Sequence, residues 1–250
     1  MHAITYSSLL LINGLDRTTQ AIKGNKFDQN WMKIDNCSFP EDLLYDTENF
    51  VWIRNKEKTV TIGITVIIAS IAGKLSSIKL KPVGAKLEKG KSCGVLESIK
   101  YFGVVRTPIS GTIVQVNNSL IDKPKLANDF PYAEGWFVEI EPSDMRDLKA
   151  LETIENCRDK MSLAIKKLRV RCFAAFPDHE MFEIGVECSA TLAKLDELIK
   201  KISIEEVIHL VSDDPTADLE MLRWSEERGQ SLLEMRNEGN LFHFIVKKVR

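Results

Sequence analysis

Gly94-Val95-Leu96-Glu97-Ser98-Ile99-Lys100, followed by Thr107-Pro108-Ile109-Ser110-Gly111, is the stretch that decides the fold of this chain. Two strand-like runs flank Ile99-Lys100-Tyr101. They predict a β-hairpin with Lys100 at or near its tip and its amine in solvent. Gly94 and Gly111 fall where the backbone bends or packs closely at the hairpin base. A turn lysine alone is an ordinary solvated charge, so its surroundings must decide whether it is more.

Those surroundings are β throughout residues 50–140. Val51-Trp52-Ile53-Arg54 and Thr59-Val60-Thr61-Ile62-Gly63-Ile64 read as strands joined by the polar turn Asn55-Lys56-Glu57-Lys58. Further strands are expected over 74–80, 92–98, 103–107, 111–117 and 135–140. Many short strands punctuated by Gly and Pro predict a small sandwich or flattened barrel.

Glu97-Ser98-Ile99-Lys100 with Pro108-Ile109-Ser110-Gly111 downstream resembles the lipoylation site of the glycine-cleavage H proteins. The likeness continues upstream through Lys81-Pro82-Val83-Gly84-Ala85-Lys86-Leu87-Glu88-Lys89-Gly90. Downstream it takes in Gly111-Thr112-Ile113-Val114-Gln115-Val116-Asn117 and Pro131-Tyr132-Ala133-Glu134-Gly135-Trp136, so that it covers residues 38–145. The resemblance implies an all-β barrel-sandwich hybrid of the lipoyl/biotinyl type, with lipoate in amide linkage to Lys100. Glu97 would then be read by the lipoate-attaching ligase. Acylation removes the lysine charge, and the dithiolane supplies the chemistry while the protein supplies reach and presentation. Two departures bear on the partner. The family's His-Glu-Trp near the first strand is here Glu48-Asn49-Phe50-Val51-Trp52. The small and acidic residues expected after the lysine are Tyr101-Phe102-Gly103-Val104-Val105-Arg106.

After Pro142 the pattern turns helical. Residues 144–168 place Leu148, Leu151 and Ile154 at helical spacing and predict a helix that closes the first domain. Residues 168–250 predict a strand (168–173), a helix (190–202), a strand (206–212), a helix (218–228) and two strands (231–237 and 241–248). That order is a small two-layer α/β sandwich. Gly185-Val186-Glu187-Cys188 leads into the first of these helices. A thiol at a helix N-terminus gains thiolate character from the dipole. Asp213 or Asp214 suits the start of the next helix. With Asp213-Asp214-Pro215 and Phe242-His243-Phe244-Ile245-Val246-Lys247, this region resembles the TusA-like sulfur carriers, which implies a persulfide on Cys188. The family's Cys-Pro-x-Pro is here Cys188-Ser189-Ala190-Thr191, without either proline.

The chain therefore divides into a poorly patterned extension (1–31), an H-protein-like domain (32–145), a helical connector (146–167) and a TusA-like domain (168–250). With 250 residues, 44% of them hydrophobic, two modest cores are possible. A formal net charge of −2 does not point to a nucleic-acid partner. No apolar run reaches the ~20 residues of a membrane span, and no basic, cleavable leader is present, which predicts a cytoplasmic protein. Cys37, Cys93, Cys157, Cys172 and Cys188 show neither a disulfide framework nor zinc spacing, and are expected as reduced, mostly buried thiols. Cys93 is expected as a packed strand thiol, and Trp52 and Trp136 as core residues. His2, His179, His209 and His243 lack ligand spacing and are expected to be structural or surface residues, with no metal site.

Two cargoes follow from the two resemblances, and in both the chain is a carrier and no enzyme. The first is an aminomethyl group carried between glycine decarboxylase, aminomethyltransferase and dihydrolipoyl dehydrogenase. The second is sulfur, as in the lipoate-binding proteins of heterodisulfide-reductase-like sulfur oxidation. The appended cysteine domain and the altered residues after Lys100 give the second a slight preference. A non-lipoylated scaffold is the third possibility.

Overall fold

The structure, a computed structural model, describes residues 30–250. The expected 1–31 extension lies outside the described residues except at its end, where Trp31 already opens a strand. Strands β1 (Trp31–Ile34) and β2 (Cys37–Pro40) form a hairpin, with Ile34 opposite Cys37. Next come β3 (Leu44–Asp46), β4 (Val51–Asn55), β5 (Val60–Ile64), helix α1 (Val66–Ala72), β6 (Leu75–Leu80), β7 (Lys86–Leu87), β8 (Ser92–Ser98) and β9 (Phe102–Arg106). They are followed by β10 (Gly111–Val116), the single turns α2 (Ser119–Asp122) and α3 (Leu126–Asp129), β11 (Trp136–Pro142), β12 (Glu152–Thr153) and α4 (Ile154–Lys167).

Seven strands in the order β12-β3-β4-β5-β11-β10-β7 form one sheet, and β6-β8-β9 form a three-stranded sheet. The alternation of β4 shows how the larger sheet is used. Val51 and Ile53 point into a core shared with Ile78, Leu96 and Val105 of the smaller sheet. Trp52 points the other way, into a second core with Phe39, Tyr45, Met161 and Ile165. Both faces are thus buried, one by the smaller sheet and the other by the β1–β2 hairpin and α4. Trp52 lies flat over Gly63 of β5, where a side chain would collide with the indole, and its Nε1 donates to the Pro131 carbonyl at 2.9 Å. This matches its expected core role.

The strands expected over residues 50–140 all form, within a residue or two at their ends. Two local readings change. The 144–168 stretch is not one helix: a 3-10 turn (Met145–Ala150) and extended Leu151 precede α4, which starts only at Ile154 behind the Thr153 cap. Ile154, Cys157, Met161 and Ile165 then pack into the second core, so this connector is a structural wall of the first unit. In addition, α1 forms where no element was expected. Its residues Val66, Ile67, Ile68 and Ile71 are β-branched and locally favour strand. Burial of Ile67, Ala69 and Ala72 overrides that preference.

The remaining chain forms β13 (His179–Glu183), α5 (Cys188–Lys201), β14 (Val207–Ser212), α6 (Ala217–Arg228), β15 (Ser231–Glu238) and β16 (Leu241–Lys247). The sheet order is β13-β14-β16-β15, with β13 parallel to β14 and the other pairs antiparallel. Ile208 and Leu210 of β14, with Phe244 and Val246 of β16, face the two helices. This is the expected β-α-β-α-β-β layer pair, with one correction: the first strand is 179–183 and not 168–173. The earlier segment cannot join a ladder because its backbone groups bond to side chains. The Arg171 carbonyl accepts from Ser70 Oγ (3.2 Å), the Cys172 carbonyl accepts from Arg236 Nη2 (2.7 Å), and Ala174 N donates to Glu234 (2.7 Å). Arg169, with φ of 52°, turns the chain out of α4 into this segment.

The two units are fastened together. Asp178, whose side chain is only 2% exposed, pairs with Lys74 at 2.9 Å and Lys125 at 3.1 Å. A disulfide joins Cys37 of β2 to Cys172, 135 residues later. The expectation of five reduced thiols is therefore corrected for this pair. No sequence spacing announces it, because tertiary packing brings the β1–β2 hairpin beside the segment leaving α4. Cys93, Cys157 and Cys188 remain free and buried.

Candidate functional site

Lys100 stands at the tip of the β8–β9 hairpin, as expected. Ser98 N donates to the Tyr101 carbonyl at 2.8 Å and closes the turn. Ser98 Oγ donates to the Ala72 carbonyl at 2.6 Å and ties the tip to the end of α1, while Lys100 N donates to Ser98 Oγ at 3.2 Å. The turn is thus held on both sides although Ile99 projects fully into solvent. The aliphatic stem of Lys100 crosses Gly73, where a Cβ would lie 2.5 Å from Lys100 Cε. Gly73 also has φ of +69°, so this position favours glycine for backbone and side-chain reasons alike. Lys100 Nζ lies 3.7 Å from Glu180 Oε2 on β13, with both side chains about half exposed (55% and 47%). At that distance and exposure the pair is weak.

Glu97 is exposed on β8 opposite Phe102, two residues before the tip along the same strand edge. At the hairpin base a Cβ on Gly111 would collide with the Glu141 carbonyl, in keeping with the expected close packing there. Cys93 is fully buried, and burial pushes its thiol pKa up to about 12, so it is the packed strand thiol expected.

A cleft of about 670 Å³ opens beside Lys100. One wall is α1 and the hairpin tip; the other includes Arg171, Cys172, Phe173, Glu180, Phe182 and His209. None of these second-wall residues could be linked to Lys100 from sequence spacing. Nor could the pairing of His209 with His243, whose ring nitrogens lie 2.8 Å apart. Both histidines are buried, as expected for structural residues, but they form a unit that the sequence did not signal.

Cys188 is the first residue of α5, where the sequence placed it. Its electrostatics are the reverse of the expectation. Burial pushes the thiol pKa up, and Asp214 and Glu220 push it the same way. Asp214 Oδ2 accepts from Cys188 N at 2.8 Å, so a carboxylate occupies the dipole end that was to favour thiolate. Asp214 Oδ1 also accepts from Thr216 N, and Asp213 Oδ1 accepts from Gly185 N, both at 2.8 Å. The two aspartates therefore staple the loop before α5 to the start of α6, which itself begins after Thr216. Among the described residues no group of side chains could hold a metal ion, and no helix is long and apolar enough to cross a membrane.

The family model for the glycine cleavage H-protein matches residues 43–163, which hold both sheets, the hairpin and most of α4. Glycine cleavage system H protein 2 of Aquifex aeolicus is 43% identical over 138 residues, covering 54% of this chain and 86% of that protein. The chain belongs to the glycine cleavage H-protein family. Probable glycine cleavage system H protein 2 of Sulfurisphaera tokodaii is 37% identical over 142 residues, covering 56% of this chain and 96% of that protein. A crystal structure of a glycine cleavage system H protein from Mycobacterium marinum is 32% identical, covers 42% of this chain and 87% of that one, and superposes with a TM-score of 0.41. Within this H-protein-family chain, Lys100 and Glu97 fall inside the matched region. Cys172, Glu180, Cys188 and His209 fall outside it.

Proposed function

We propose that this chain is a lipoyl carrier loaded on Lys100, which presents one arm to partner enzymes and catalyses nothing itself. The observation that carries this reading is Lys100 at the exposed tip of a hairpin pinned to α1, within the H-protein-family region. The surroundings fit the group: Gly73 leaves room for the stem, the amine has only a weak ion pair, and open space lies beside it. When bound, lipoate supplies a dithiolane that opens to take up cargo. Acylation neutralises the amine and so breaks the Glu180 pair, freeing the stem. A pinned tip with a flexible arm holds the cargo at a high effective concentration near each partner. Glu97, exposed on the strand leading to the tip, is positioned for contact with the attaching ligase.

The cargo we propose is the aminomethyl group, with glycine decarboxylase, aminomethyltransferase and dihydrolipoyl dehydrogenase as partners, in line with the names of the relatives. Sulfur is the second reading, with heterodisulfide-reductase-like partners. It rests on the β-α-β-α-β-β order within 168–250, which fits a TusA-like domain. The raised, carboxylate-flanked thiol of Cys188 weighs against a persulfide there. A cytoplasmic location belongs to the same proposal; the Cys37–Cys172 disulfide bears against it, because reducing compartments rarely keep one in mesophiles.

Intact-mass measurement after co-expression with a lipoate ligase tests the carrier reading. One lipoyl increment is expected, lost in Lys100→Arg and slowed in Glu97→Ala; no increment in the wild type would overturn it. Exchange of labelled bicarbonate into glycine with glycine decarboxylase then tests the cargo. No exchange, together with persulfide transfer that disappears in Cys188→Ala, would replace aminomethyl by sulfur.

A further inference from the structure

The second wall of the cleft belongs to residues beyond the family match, and His209 on that wall is the first of a row of three polar side chains that runs away from the cleft. His209 projects from β14 on the face away from the helices. Its Nε2 lies 2.8 Å from His243 Nδ1, the two rings edge to edge with centroids 5.1 Å apart and planes at 18°. The other nitrogen of His243, Nε2, faces Glu238 Oε2 at 3.6 Å. Burial works against the Glu238 charge, but Arg171, His243 and Arg236 hold its pKa below the usual carboxylate range. The row therefore ends on an anion, which accepts protons and donates none.

That anion sets the tautomers along the row. Glu238 lies too far from His243 Nε2 to accept a hydrogen bond, but its charge favours the proton on that nitrogen, so that His243 Nδ1 accepts from His209 Nε2–H and His209 is left with a bare Nδ1. No hydrogen bond to that nitrogen is formed by any described residue, and the ring lines the cleft. Phe173 tilts over the ring at 4.5 Å and Phe182 meets it edge-on at 6.1 Å. Burial, followed by His243 and Arg171, depresses the His209 pKa to about 4. Glu238 pulls it up and Arg236 down, so the ring is neutral and Nδ1 is an acceptor throughout the neutral range.

One acceptor that opens on the cleft beside aromatic rings fits a small apolar group that carries a weak donor. A thiol is such a group, and a closed dithiolane has no S–H to offer. Lys100 crosses Gly73 at the mouth of the same cleft, with its amine toward β13. We propose that the appended domain is a docking site in cis for the reduced, dithiol arm of Lys100. In it a thiol S–H donates to His209 Nδ1 between Phe173 and Phe182, and the closed disulfide form is not retained. Docking makes and breaks no covalent bond, and the redox step stays with the partner enzymes. This inference rests on the lipoyl reading of Lys100, and it gives the second domain a role that needs no chemistry at Cys188.

The test uses the full chain, lipoylated by a ligase, checked by intact mass, and reduced with dihydrolipoyl dehydrogenase and NADH. Alkylation of the arm thiols by iodoacetamide is followed by mass at neutral pH. Protection of about ten-fold is expected in the wild type relative to His209→Phe, the scale of one lost hydrogen bond with its shelter. Phe173→Ala, which keeps the histidine row, should lose most of the same protection. In spectra of histidine labelled with nitrogen-15, the His209 Nδ1 resonance should move on reduction in the wild type and stay fixed in Lys100→Arg. Equal alkylation rates with an unmoved resonance overturn docking and leave the carrier reading intact. A missing lipoyl mass overturns both.

Discussion

The start of the β8–β9 turn and the start of α5 each present one nucleophilic side chain, and the fold treats them in opposite ways. Lys100 is about half exposed on a turn held by Ser98, with nothing but a weak pair to Glu180. Cys188 is buried, with two carboxylates acting against its thiolate. Both lie at the end of a regular element, where the sequence put them. What separates them is the charge and solvent that other elements bring, which position in an element does not set. A helix N-terminus favours an anion only while no other anion has taken the end, and Asp214 has taken it.

The contrast can be broken most directly at the lysine. Lys100→Arg should abolish lipoylation completely in the mass assay, whereas Cys188→Ser should leave it at the wild-type level. A loss of loading in the cysteine variant would mean that the two sites are coupled. The next largest effect belongs to the seam between the regions. Removing the Cys37–Cys172 bridge with Cys172→Ser releases a crosslink between positions 135 apart. It should cost about 4–5 kcal/mol of unfolding free energy by urea titration under oxidising conditions. A cost near zero would show that the chain is not crosslinked in solution.

Asp178→Asn should cost about 3 kcal/mol, because it leaves Lys74 and Lys125 beside a neutral, buried partner. Burial opposes the Asp178 charge, but Lys74, the Val207 N–H and Lys125 hold its folded pKa below the ordinary value. Its contribution is therefore complete above the unfolded carboxylate pKa of ~3.9 and is lost as pH falls through the lower folded value. Acid titration of stability should consequently be shallower below pH ~4 in the variant, and an unchanged slope would remove Asp178 from the seam. The smallest effect is at Cys188. Iodoacetamide should modify it at least about five-fold more slowly in the folded protein than in urea, and Asp214→Asn should narrow the gap. A folded-state rate above that of the unfolded chain would restore the reactive-thiol reading.

The fold of the first region was largely legible because alternation, Gly–Pro punctuation and the polar turn after Asn55 are local signals of strand and hairpin. Two of the misreadings share a cause. Local preference favours strand at 66–72, where no element was expected, and at 168–173, where a strand was, yet burial made one a helix and side-chain bonds left the other irregular. Of the site, Lys100 and Glu97 were legible through the motif around them, and Glu180, Gly73, Arg171 and His209 were not. They come from separate elements that meet only after both units have folded.

The sequence alone determined the hairpin, the lysine at its tip and the helices and last three strands of the appended region, since each depends on residues within a few positions of one another. Only the tertiary structure decided the Cys37–Cys172 bridge, the burial of Cys188, the His209–His243 pair and the cleft that faces Lys100. Those depend on which surfaces meet across more than a hundred residues, where burial and the pairing of charges outweigh local preference.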